Sequence, residues 1–318
     1  MRTKDALIGL AVGDALGVPV EFMERSVILE NPVQEMRAYG TYDQPMGTWS
    51  DDSSLTFCLA DSLIEGFDLI DMAERFVLWK HQAYWSARGE VFDIGITSAV
   101  AIDQLAVLLA QKQFKAIESL GNTDDERTNG NGSLMRILPL YFYLQHEKIE
   151  DHFATIWAVS ALTHAHLRAA IACLIYLIFA DELVQQKSAS VAYAEMQKRM
   201  TAFLTKNEGK RQEAKFFQRI LEEDIDSLPE NEIRSDGYVV HSLEAALWCL
   251  LRGCSYEEVV LAAVNLGADT DTTAAIAGGL AGLQYGWESI PRDWRESLAR
   301  YQDILKLSEA LHEVYFEK

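Results

Sequence analysis

Ser50, Asp51 and Asp52 in GTWSDDSS, and Asp269, Asp271 and Thr272 in LGADTDTT, place hydroxyl and carboxylate oxygens in two short clusters far apart in the chain. Adjacent carboxylates repel one another, so gathering four in one small space needs a dication or open access to water. Hard cations such as Mg²⁺, Mn²⁺ or Ca²⁺ take this kind of oxygen donor. The same residues also suit helix starts: Ser50 is a good N-cap ahead of the apolar run 55–63, with Asp51 and Asp52 in a first turn that favours acids. Asp271 stands in the same relation to 274–283. Capping and ligation are compatible, and two clusters of matching type, each near a glycine (Gly47, Gly267), point to the halves of one divalent-metal site.

Three further segments carry chemistry. Asn129, Gly130, Asn131 and Gly132 precede a helix expected to begin at Ser133, an arrangement that offers backbone N–H groups to a phosphate or pyrophosphate and equally suits a capped turn. Gly9, Gly13 and Gly17 recur at four-residue intervals and give one helix a smooth face for the close approach of another helix or a ligand, which offsets a cost of roughly 1 kcal/mol each relative to alanine. Glu21 follows just past that helix. His164 and His166 in THAH point to different sides of any helix and read as polar partners or helix-start residues rather than metal ligands. Tyr238 follows Gly237 at a helix start, where packing and ligand stacking are both open to it.

Helical periodicity dominates the elements that must position these residues: 4–16, 53–65, 72–83, 97–111, 133–144, 151–162, 166–183, 189–203, 211–222, 241–251, 256–265, 272–285 and 294–315. No stretch alternates cleanly enough for a sheet, and Pro139 is expected to kink its helix or reset its start. The fold class expected is all-α, with 1–318 forming a single compact domain, since no Pro-, Gly- or Ser-rich linker divides the chain. The charged stretch 206–234 reads as a solvated surface segment.

With 318 residues, 49% of them hydrophobic and 24% charged, the composition is that of a soluble globular protein. A net charge of −20 argues against a nucleic-acid backbone or an anionic membrane surface as partner. The four cysteines, Cys58, Cys173, Cys249 and Cys254, form no CxxC pair and read as core residues of a reducing compartment. No signal peptide is evident, and the most apolar run, 169–180, is shorter than the roughly 20 residues of a membrane span. A cytoplasmic protein is expected.

The motifs GLAVGDALGVPVEF, GTWSDDSSLTFCLADSL, DIGITSAV, NGNGSLMRILPL, THAH, DGYVVHSLEAALW and LGADTDTTAAIAGGLAGLQYG, in this order, resemble the ADP-ribosylglycohydrolase family, including the bacterial dinitrogenase reductase-activating glycohydrolases. The likeness runs from about residue 5 to 286. It implies an all-α hydrolase with two divalent ions, Mg²⁺ or Mn²⁺, that cleaves the bond between ADP-ribose and a protein side chain, with arginine as the expected linkage. The partners implied are an ADP-ribosylated protein as substrate and ADP-ribose as product. By position, Ser50, Asp51, Asp52, Asp269, Asp271 and Thr272 would be metal ligands, and Glu21 or Asp52 would do acid/base work. Asp93 would line the distal-ribose pocket. Asn129, Gly130, Asn131, Gly132, Ser133 and Met135 would hold ribose and pyrophosphate, His164 would lie near the phosphates, and Tyr238 near the adenine.

The chain departs from the commonest pattern where Ser50 and Ser53 replace threonines and Ala268 replaces a glycine, yet no metal-binding oxygen is lost. Two other classes remain beside the hydrolase: a non-catalytic ADP-ribose-binding or structural protein, and a two-metal phosphohydrolase of nucleotide diphosphates. Intact carboxylates weigh against the first. Hydroxyl-plus-Asp spacing without histidine ligands weighs against the second.

Overall fold

The computed structural model describes residues 1–121 and 125–317. Among them the chain runs through α1 (Arg2–Gly17), α2 (Arg25–Ile28), α3 (Asp51–Ile64), α4 (Leu69–Gln82), α5 (Ile96–Ala110), α6 (Phe114–Glu118), α7 (Leu140–Leu144), α8 (Phe153–Ala161), α9 (Leu167–Val184), α10 (Ala189–Lys206), α11 (Arg211–Ala214), α12 (Gln218–Glu222), α13 (Val239–Arg252), α14 (Tyr256–Asn265), α15 (Thr270–Tyr285), α16 (Arg292–Ser297) and α17 (Tyr301–Phe316). The fold is all-α. Extended pairing among the described residues is limited to isolated bridges, Tyr39 with Gln44 and Gly130 with Tyr238. No helix among them is long and apolar enough to cross a membrane.

Helices α1 and α15 form the centre, apolar and small-residue sequences buried on nearly every side. Their backbones touch: a Cβ added at Gly13 would stand 2.0 Å from the Ala274 carbonyl oxygen, and one at Gly9 2.4 Å from that of Gly278. The glycine face of α1 therefore receives a helix, and any larger side chain there would push the pair apart. Hydroxyls lock the seam. Thr270 Oγ1 donates to the Gly17 carbonyl at 2.8 Å and Tyr256 Oη to that of Gly9 at 2.6 Å. From the other side, Thr3 Oγ1 donates to Ser308 of α17.

Four expectations need correction. The segment after Gly132 is a series of turns, not a helix from Ser133, and regular helix begins only at Leu140, after Pro139 resets it. The pattern 294–315 is broken between α16 and α17, where Arg300 takes a left-handed φ of 50°. Stretch 206–234 is not simply a solvated face: it folds into short helical turns that bury Phe217, Ile220, Ile225 and Ile233. Cys254 is exposed in the turn before α14, while Cys58, Cys173 and Cys249 are buried as expected.

Candidate metal centre and substrate cleft

The two acidic clusters meet. Ser50 N-caps α3, its hydroxyl accepting from Asp52 N–H at 3.3 Å and donating to Asp52 Oδ2 at 3.0 Å. Thr272, in the first turn of α15, donates its hydroxyl to the same Asp52 oxygen at 3.2 Å across 220 positions of sequence. Asp271 beside it accepts at Oδ1 from the Thr272 N–H. Carboxylate oxygens of Asp271, Glu21 and Asp93 all lie within 4.8 Å of one another. Asp51, buried, feels the charges of Asp93, Asp14 and Glu21.

What aims both helix starts inward is α1. Asp14, fully buried in that helix, accepts from Ser50 N–H at 2.9 Å, Ser53 N–H at 3.0 Å and Ser53 Oγ at 2.5 Å. One carboxylate thus takes up donors that α3 leaves unpaired at its N-terminus. Glu21 follows α1 through the short turn Val18–Val20. Its neighbour in space, Asp93, accepts from Tyr42 Oη at 3.0 Å. Ala268, where a glycine was noted as the commoner residue, has a left-handed φ of 60°. Glycine takes that conformation without strain, whereas alanine incurs about 1–2 kcal/mol.

Burial raises every carboxyl in the cluster. It lifts Glu21 to about 8, with the charges of Asp93 and Asp269 adding to it, and Asp14 to about 6 against the Ser53 and Ser50 hydrogen bonds. Asp51, Asp52 and Asp271 are pushed well up by burial first and then by neighbouring carboxylates, and Asp269 and Asp93 are raised chiefly by burial. Glu21 Oε2, Asp52 Oδ1 and Asp271 Oδ2 are buried without a hydrogen-bond partner. Orphaned hard oxygens among like charges fit a divalent cation in both donor type and charge.

The opposite wall is a loop. Asn131 N–H donates to the Gly237 carbonyl and Val239 N–H to that of Asn129, which pins Asn129, Gly130 and Asn131 against the start of α13. Asn131 Nδ2 reaches Asp269 Oδ2 at 2.8 Å and Ser242 Oγ at 2.9 Å, joining this wall to the carboxylates. Both polar atoms of the Asn129 side chain are buried and unpartnered. Ser133 turns away: fully buried, it accepts from Ser160 Oγ at 2.9 Å, and Met135 is likewise in the core. No helix N-terminus stands behind Gly132, so anion-binding N–H groups here would come from turns.

His164 is buried beneath the loop, its ring 2.7 Å from where a Cβ on Gly132 would sit. Burial, then the Arg136 charge, lowers its pKa to about 3, so the ring is neutral. Thr163 Oγ1 accepts from Arg136 at 2.7 Å and lies 2.9 Å from His164 Nδ1. The other ring nitrogen, Nε2, is the one nearest Gly130. His166 N-caps α9, accepting from Arg168 N–H. Tyr238 Oη accepts from Arg168 Nη1 at 3.1 Å, and Arg168 is held by Glu213 at 2.8 Å and by the Phe216 face at 3.4 Å.

The sequence profile of the ADP-ribosylglycohydrolase family matches residues 1–318. The chain belongs to this family of hydrolases. It is 31% identical over 313 residues to the ADP-ribosylarginine hydrolase Tri1 of Serratia proteamaculans (strain 568), covering 98% of this chain and 78% of that protein. It is 27% identical over 303 residues to the ADP-ribosyl-[dinitrogen reductase] glycohydrolase of Rhodospirillum rubrum, covering 93% and 90%. A solved structure titled as an ADP-ribosylglycohydrolase-related protein complex superposes with a TM-score of 0.79 at 30% identity, covering 99% of this chain and 98% of that one. In this ADP-ribosylglycohydrolase the sequence reading missed Asp14, Tyr42, Thr163 and Arg168. Asp14 had a legible signal, an acid within the apolar and glycine-rich stretch 6–17 of α1, whereas Tyr42 and Arg168 had none.

Proposed function

We propose that this protein is a metal-dependent hydrolase, acting as a single domain over residues 1–318, that removes ADP-ribose from modified arginine side chains of a protein. The observation that carries the reading is the 3.2 Å contact between Thr272 and Asp52, which unites two clusters around three orphaned carboxylate oxygens. Ser50, Asp51, Asp52, Asp269, Asp271 and Thr272 would hold two ions, Mg²⁺ or Mn²⁺. When bound, such ions supply Lewis acidity toward ribose hydroxyls and water.

The chain's own residues do the rest. Glu21 and Asp52 each keep one unpartnered oxygen, Oε2 and Oδ1, and because Asp52 is assigned to the ions, Glu21 is the carboxylate left for the proton transfer. Water adds to the anomeric carbon, the carbon–nitrogen electron pair leaves with the guanidino nitrogen, and the water proton passes through Glu21 to restore the guanidinium. Surrounding carboxylates favour the oxocarbenium character of that step. Asp93 faces the distal ribose; Asn129, Gly130, Asn131 and Gly132 face the diphosphate with the His164 ring behind them, and Tyr238 faces the adenine. Ser133 and Met135 support the loop from within.

The arginine linkage is favoured by the strongly acidic cluster, which suits a cationic leaving group, and by the specificity named for the Serratia relative. The test is release of free ADP-ribose from arginine-linked and serine-linked peptides with Mg²⁺ or Mn²⁺ and with EDTA. Metal-dependent release from the arginine peptide is expected. ADP-ribose binding without release from either peptide would replace the reading with a binding role, and AMP as product would replace it with a phosphohydrolase.

A further inference from the structure

Phe22 departs from the usual in two respects. Its side chain is 67% exposed, and its backbone is left-handed with φ 63°, a conformation bulky L-residues rarely adopt. The conformation is fastened: Phe22 N–H donates to the Ala268 carbonyl at 2.7 Å, tying the segment of Glu21 to that of Asp269. The outcome is that Glu21 is 5% exposed, among the carboxylates, while the next residue presents an aromatic ring to solvent.

A lone exposed phenylalanine would be ordinary. This one has company, since Tyr42 lies edge-on at 6.5 Å and Phe92 packs on Tyr42 at 5.1 Å. The Tyr42 hydroxyl reaches Asp93, so the row of rings forms a wall that meets the carboxylate cluster at Tyr42. Aromatic faces attract cations, and guanidinium, being planar and weakly hydrated, stacks on them well. Carboxylates behind the wall add attraction of the same sign. A neutral leaving group gains from neither.

We propose that Phe22, with Tyr42 beside it, forms the leaving-group subsite and receives the guanidinium of the modified arginine. Strained backbone gathers at functional sites when the surroundings hold it, and here it lets neighbouring residues face opposite ways. The inference rests on the arginine reading above and names the residue that sets that specificity.

The experiment compares wild type with Phe22→Ala, Phe22→Leu and Phe22→Trp, all at an exposed position whose truncation opens no core. Leucine keeps apolar bulk without a π face, and tryptophan keeps the face. For the arginine-linked peptide, kcat/KM is expected to fall about two- to thirty-fold in the alanine and leucine variants and to be retained with tryptophan. Affinity for free ADP-ribose, which lacks the guanidinium, stays at the wild-type value. Wild-type rates in Phe22→Leu overturn the inference alone, as does an equal loss of ADP-ribose affinity, which signals distortion of the whole site. A wild-type enzyme inert on the arginine peptide overturns the arginine reading, and this inference with it.

Discussion

The two sides of the candidate site are built by different means. The carboxylate side stands on helix starts that are clamped by a helix seam at backbone contact and by Asp14 beneath α3. The other side, proposed above to face the nucleotide, is a turn-rich loop held by a few hydrogen bonds to 237–239, Asp269 and Ser242, with Tyr238 steadied through Arg168. Groups that must share one cation need placement within about 0.5 Å, and closely packed helices supply it. A long flexible ligand tolerates a softer wall, because its several contacts adjust together.

Breaking the rigid side without touching the soft one gives the largest effect. Glu21→Gln should lower kcat by about 10²–10⁴-fold in single-turnover assays while ADP-ribose affinity holds; a fall of less than tenfold would remove Glu21 from the proton transfer. Gly13→Ala attacks the seam. A Cβ 2.0 Å from the Ala274 carbonyl must shift one helix, so chemical denaturation should report a loss of about 1–3 kcal/mol. Asp14→Asn keeps the shape but loses an acceptor and a charge below α3, and Mn²⁺ affinity measured by calorimetry should weaken about 10- to 100-fold. Unchanged affinity would make Asp14 a purely structural residue.

Protonation sharpens the contrast further. Glu21 and Asp14 titrate in the folded protein near 8 and 6, above ordinary carboxyls, so the metal-free fold holds more protons than the unfolded chain between about pH 4 and 8. Their contribution is full at acid pH and lost as pH rises through those values. Metal-free protein should therefore melt lower at pH 8 than at pH 5, and added Mn²⁺ should raise Tm more at pH 8. A flat metal-free profile would contradict this. The smallest effect belongs to the soft wall: Arg168→Lys loses the planar fork on Phe216 and Glu213, and should raise KM by about two- to fivefold with kcat unchanged.

Most of this was legible in the chain because it rests on local rules. Ser50 as N-cap, the four-residue glycine spacing and the acids of two helix starts each announce themselves through short-range chemistry. The misreadings share a different cause. Ser133 was expected to open a helix because the apolar pattern continues through Leu144, but the chain turns there to seat Ser133 and Met135 in the core. Tyr42 and Arg168 matter through partners 51 and 70 positions away, Asp93 and Tyr238, and nothing local marks such pairs. Stretch 206–234 misled for the same reason: its charges are visible in sequence, whereas the use of Glu213 to steady Arg168 is not.

The seam between α1 and α15 also sets a timetable. The bond from Thr270 to Gly17 spans 253 positions, and translation at about 5–20 residues per second separates the emergence of its two ends by roughly ten to fifty seconds. Through that interval the first helix made has no partner for its glycine face, and a nascent polypeptide carries only half of the oxygen cluster. The packing of the first helix is thus completed only when the part of the chain from Thr270 onward has emerged.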